Sequence, residues 1–178
     1  MTRRTSLTPA VFSLVAFALL LSTGCALTVP AADPTPPDVR LTVSGVGPTF
    51  TLTPTSAPES RSATPGTEIL LLAAAIDEDG GVKNVSISGA LTVGCSGGDL
   101  GQNVSVHYVA NNPEDPSVGV GDEALDRRFT TLQLDTGTFA SFCGNGFTFT
   151  GASGGFVAQG ENFHGGTATT AAFSLSVP

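Results

Sequence analysis

The sequence predicts an all-β fold, and three observations carry that reading. Apolar and polar residues alternate with period 2 in several separate segments. Clusters of Gly, Pro, Asn and Asp bound those segments, and 22 Gly and 12 Pro in 178 residues supply such turns throughout. The chain is 40% hydrophobic and only 12% charged, with Val, Leu, Phe and Thr recurring along its length, so it can bury a core. The length suits one domain.

Val39, Leu41 and Val43 alternate with Arg40, Thr42 and Ser44, and Phe50 with Leu52 repeats the pattern, giving two short strands. The Pro-, Ser- and Thr-rich stretch 54–65 reads as a surface loop. Residues 69–76 form an unbroken apolar run between Pro65-Gly66 and the turn at Asp77, which predicts a central strand covered on both faces. Segments 82–88, 90–95 and 103–109 follow with little but turn residues between them, as in a meander. Residues 111–121 read as a polar loop. Residues 123–129 are either a short helix capped by Asp122, with Leu125 and Phe129 on one face, or the approach to a strand that starts at Arg127. Residues 130–134 alternate again, Asn145-Gly146 signals a hairpin, and Ala171, Phe173, Leu175 and Val177 share one face of a last strand over 167–177. Six Phe fall between Phe139 and Phe163, and at strand spacing beside a cysteine they read as core.

The amino terminus reads as a targeting segment, with Arg3 and Arg4 ahead of an apolar stretch over 10–21 and then small residues. Twelve residues are too few to span a hydrocarbon core, which needs about 20, so residues 1–24 are read as a signal peptide and not a membrane helix. The junction Leu21-Ser22-Thr23-Gly24-Cys25 resembles the lipobox of bacterial lipoproteins, with Ser22 where Leu is commoner. That resemblance implies lipid on the Cys25 thiol and an exported protein anchored to a bacterial membrane. With Ala26 rather than Asp after the cysteine, the family's sorting pattern implies the outer membrane or cell surface. The plain alternative is a secreted protein cut near residues 24–26. Lipidation of Cys25 would also account for the odd thiol among three cysteines, leaving Cys95 and Cys143 to pair in an oxidising compartment. Closing a loop of 48 positions contributes about 4 kcal/mol in the chain-entropy picture. Two free buried thiols are the alternative.

Residues 25–38 combine the lipidated cysteine with a Pro-rich stretch, read as an extended tether that presents a domain over 39–178. Within that domain, residues 65–89 (PGTEILLLAAAIDEDGGVKNVSISG) resemble bacterial immunoglobulin-like and cadherin- or PKD-like modules. Ala75, Asp77, Asp79, Gly80 and Val82 hold the places of those modules' Ala-x-Asp-x-Asp-Gly-x-Val signature. The resemblance implies an Ig-like antiparallel β-sandwich with long loops, and it carries architecture rather than activity. The departures are size, since 140 residues exceed the roughly 100 of an immunoglobulin sandwich and require insertions, and the absence of Trp.

Charge narrows the function. Without Arg3 and Arg4 the seven basic side chains become five against 15 acidic ones, a net of −10, and such a surface repels phosphate backbones, so nucleic acid is not a partner. Asp77, Glu78 and Asp79 lie in a glycine-containing loop that offers oxygen ligands to calcium, with Asp77 and Asp79 the candidate ligands. The same residues also make an ordinary turn, and the EF-hand pattern is incomplete. His107, between Val106 and Tyr108, is expected to face solvent or to pack at a sheet rim, and His164 to lie in a loop. A small envelope hydrolase would need one of them beside a serine and an acid, and no HExxH run occurs. With Tyr108 the single Tyr and no Trp, the chain lacks the aromatic platforms that suit sugars. The expectation is a lipid-anchored, non-enzymatic binding or scaffolding module of the cell envelope, without a required cofactor, whose partner is a protein or an envelope polymer. The runner-up is a calcium-dependent adhesion module.

Overall fold

The computed structural model describes residues 34–97, 101–113 and 126–178. Their strands are β1 (Asp38–Ser44), β2 (Phe50–Leu52), β3 (Glu59–Ser62), β4 (Glu68–Ile76), β5 (Val82–Ser96), β6 (Gln102–Asn112), β7 (Arg127–Asp135), β8 (Thr148–Asn162), β9 (Thr167–Thr169) and β10 (Phe173–Val177). They form two sheets: a four-stranded one in the order β2-β1-β4-β7, and a six-stranded one in the order β3-β10-β8-β5-β6 with β9 beside β8. The inward-facing residues of both sheets join in one core, with Val39, Leu41, Ile69, Leu71 and Leu134 from the first and Val85, Ile87, Leu91, Phe156, Phe173 and Leu175 from the second. The result is sandwich-like, held by apolar burial on one face of each sheet.

The period-2 signals hold where side chains alternate. Val39, Leu41 and Val43 of β1 are fully buried, and Phe173, Leu175 and Val177 of β10 face the core. Other expectations are corrected. The run 69–76 lies centrally, with β1 and β7 on its two sides, yet only one of its faces is covered. Ile69, Leu71, Ala73 and Ala75 are buried, whereas Leu70 is 43% exposed, because the four-stranded sheet has nothing described outside it. The turn after Ile76 does not open a meander: it crosses from one sheet to the other, so β4 and β5 never pair. Segments 82–88 and 90–95 are one strand, because Gly89 stays extended. Any Cβ there would run into the Phe156 ring of the adjacent strand, so the glycine makes room for an aromatic and does not mark a turn.

The stretch 54–65 contains β3, which lies parallel to β10 at the sheet edge, so the architecture is not wholly antiparallel. The hairpin expected at Asn145-Gly146 is instead the exit from a 3-10 helix (Thr136–Cys143) into β8. Asp135 caps that helix, its Oδ1 accepting from the Gly137 N–H at 2.8 Å. Thr136 anchors it: its hydroxyl contacts the Thr64 and Thr67 carbonyls at 2.9 and 3.1 Å and lies 2.8 Å from the Thr67 N–H. The last strand is two, since 170–172 interrupt pairing between β9 and β10. Of the two readings for 123–129, the strand from Arg127 is the one seen, while 123–125 and most of the expected polar loop lie outside the described residues.

The last part of the expected tether belongs to the domain. Pro37 is buried, and Gly160 lies directly beneath Val39, Ala75 and Pro37. The Thr35 carbonyl accepts from Asn162 at 2.8 Å. Cys25 and residues 26–33 lie outside the described residues.

Candidate functional site

Cys95 and Cys143 are bridged, with their Cα atoms 5.5 Å apart. Cys95 ends the inward row of β5 and Cys143 ends the 3-10 helix, so the bond clasps the helix to the six-stranded sheet. The Gln102 side chain adds a hydrogen bond to the Cys143 carbonyl at 3.1 Å. Both sulfurs are buried, which makes this a structural bridge.

Asp77 and Asp79 are separated by the turn they share. Asp77 is half-buried: its Oδ1 accepts from the Gly80 N–H at 2.7 Å and its Oδ2 from Asn162 Nδ2 at 3.0 Å, so the carboxylate closes the turn and ties it to the end of β8. Asp79 is exposed. Among the described residues no three His, Cys, Asp or Glu side chains gather as a ligand set. Asn162, which no sequence signal distinguished, is the hub of this end. Its amide donates to Thr35 O and Asp77, and its Oδ1 accepts from the N–H groups of His164 and Gly166 at 3.1 and 2.7 Å.

Both histidines are exposed. His107 is 3.3 Å from the Ser105 hydroxyl on the outer face of β6, and His164 lies in the turn between β8 and β9. The run Gly151-Ala152-Ser153-Gly154-Gly155 has the Gly-x-Ser-x-Gly spacing of a hydrolase nucleophile elbow. Its context differs from an elbow: all five residues lie within the extended strand β8, with no strand-to-helix turn at the serine. Ser153 sits between Thr92 of β5 and Ser176 of β10.

What the strands do build is a broad, uncharged outer face on the six-stranded sheet. Register aligns Ser62, Ser176, Ser153, Thr92 and Ser105 in one row across five strands, all exposed. The next row is Ser60, Ser174, Gly155, Ala90 and His107, and beyond it Val157, Ser88 and Val109 align, followed by Gln159, Ser86 and Asn111. None of these side chains is Asp, Glu, Lys or Arg. The charges begin at the end of the sheet, where Lys83 and Asn84 hold Glu161 at 2.9 Å each. The hydrogen bond from Lys83 is the main cause that draws the Glu161 carboxyl below its ordinary range. Two shallow depressions lie on this face, one of about 550 Å³ lined by Ser60, Arg61, Ser62, Ser153 and Ser174, the other of about 410 Å³ over Ser88, Ala90, His107 and Val157. Small side chains, hydroxyls and low relief suit contact with a flat, uncharged surface rather than enclosure of a small molecule.

Together these features define a mostly β, two-sheet protein clasped by one disulfide. No protein-family model and no curated protein matches this chain.

Proposed function

We propose that this chain is a lipid-anchored cell-envelope protein whose Ig-like sandwich serves as a non-enzymatic binding or scaffolding module for a protein or an envelope polymer. The observation that carries the binding reading is the outer face of the six-stranded sheet, five strands wide and with no Asp, Glu, Lys or Arg in its aligned rows, in a chain of net charge −8. An acidic protein that leaves so wide a face neutral offers a surface that neither like-charge repulsion nor the cost of stripping water from ions protects from contact. The anchoring reading is supported by the apolar leader ending in Leu21-Ser22-Thr23-Gly24-Cys25 and by the bridging of Cys95 with Cys143, which leaves Cys25 as the odd thiol. Outer-membrane or surface placement follows from Ala26 after that cysteine, and the Ig-like assignment from the signature over 65–89 together with the two-sheet architecture.

The test is metabolic labelling of bacteria expressing the full chain. Labelled palmitate is incorporated into the wild-type protein and recovered with the membrane fraction, while Cys25→Ala carries no label and leaves that fraction. An unlabelled wild-type protein in the culture fluid overturns the anchor.

A further inference from the structure

Sheet edges expose a row of unpaired backbone N–H and C=O groups, and natural proteins blunt them with short strands, charges, prolines or bulges. Four edges here follow that rule. β2 and β9 have three residues each, β3 has four with Glu59 and Arg61 among them, and β7 carries Arg127, Arg128 and Asp135. The fifth does not. β6 is 11 residues long, QNVSVHYVANN, with no charged residue and no proline, and its pairing with β5 runs in continuous register without a bulge. Among the described residues no strand pairs with its outer side. Its inward side chains Val104, Val106 and Tyr108 pack against the core yet stay half-buried, and Val109 on the outer face is 71% exposed.

We infer that β6 is a strand-addition edge whose occupant is β6 of a second copy of this chain, paired antiparallel about a two-fold axis at His107. Charge and register both select a second copy. A protein of net charge −8 is repelled by itself except along neutral surface, and the β6 seam is neutral over its whole length. Directly opposed residues in a continuous sheet share a face, and centring the pair on His107, the midpoint of the strand, uses all 11 residues. It sets Val106 against Tyr108 and Val104 against Ala110 on the core side, apolar or aromatic pairs of the kind that stabilise sheets, and Ser105 against Val109 and Asn103 against Asn111 on the outer side. His107 meets its own copy on the axis, and no Asp, Glu, Lys or Arg is among the paired residues. Two such strands exchange about ten main-chain hydrogen bonds along a seam of about 37 Å, as many as a typical specific interface carries. The pairing is isologous and consumes both edges, so it closes at two copies and does not propagate. It also joins the two uncharged outer faces into one continuous sheet. The inference stands on β6 alone and is independent of the anchor at Cys25.

The test reads the mass of the full chain in detergent by sedimentation, for the wild type and two variants at exposed outer-face positions. The wild type sediments at twice the chain mass. Ser105→Lys with Val109→Lys sets lysine against lysine twice across the axis and gives the single-chain mass. Ser105→Glu with Val109→Lys sets glutamate against lysine twice and restores the doubled mass. Each variant keeps the wild-type β-rich circular dichroism, since neither side chain is in the core. A wild type at single-chain mass, a Lys/Lys variant that stays doubled, or a Glu/Lys variant that stays single overturns the proposal.

Discussion

Asn162 has no exposed surface, and its amide fills both donors and both acceptor positions within the turn cluster. Asn162→Ala therefore strands the buried Gly166 N–H, and a loss of about 1–3 kcal/mol in urea unfolding is expected. Asn162→Asp removes the donors and sets a second carboxylate beside Asp77, so it costs more than alanine at neutral pH. The gap between the two variants narrows in mild acid as the new carboxyl protonates. Gly89 is the matching residue in the core: it passes beneath Phe156, whose ring also meets Tyr108 with centroids 6.0 Å apart. Gly89→Ala forces these rings off their positions, and denaturant unfolding should show a loss of about 1–3 kcal/mol.

At the level of elements, the disulfide joins the 3-10 helix to β5 across 48 positions. Replacing both cysteines by serine should lower stability by about 4 kcal/mol in the chain-entropy picture, read from the shift in denaturant midpoint, with the β-rich fold retained. The pair of Lys83 on β5 and Glu161 on β8 carries a smaller, pH-dependent contribution. The fold holds the Glu161 carboxyl below its ordinary range through the Lys83 hydrogen bond, so this stability is present above the unfolded carboxyl's pKa and is lost as pH falls through the lowered folded one. Both side chains are partly exposed, so Glu161→Gln should cost under about 1 kcal/mol, and only on the less acidic side of that window.

Strands whose side chains alternate, such as β1 and β10, were legible in the sequence because one face is buried and the other wet. The uniformly apolar β4 was legible as a strand but not in its covering, because periodicity is lost when both faces are apolar. Gly89 and Asn145-Gly146 carry the same turn signal, yet only the second turns, because the space claimed by Phe156 comes from a residue 67 positions away. Of the candidate site, the disulfide was legible from cysteine arithmetic. The neutral face was not, since its rows assemble from residues of β3, β5, β6, β8 and β10 whose register no local pattern specifies.

For the whole molecule, the proposed function needs a clasped two-sheet domain that leaves one broad face, whose aligned rows carry no charged residue, open to a partner. Charge added to that face should abolish binding without unfolding the domain. Added to isolated envelopes without its anchor (Cys25→Ala), the chain carrying Ser88→Glu with Ser153→Glu should keep its melting temperature, because both side chains are exposed and they do not oppose each other across the strands, and should lose retention in a sedimentation assay. Retention equal to wild type would move the contact elsewhere. The anchor is the claim on which localisation and partner class both depend, and mass spectrometry of the mature amino-terminal peptide reads it directly. The account predicts a chain that begins at Cys25 with a diacylglyceryl group on its sulfur. An unmodified amino terminus, at Cys25 or at a neighbouring residue, would contradict it.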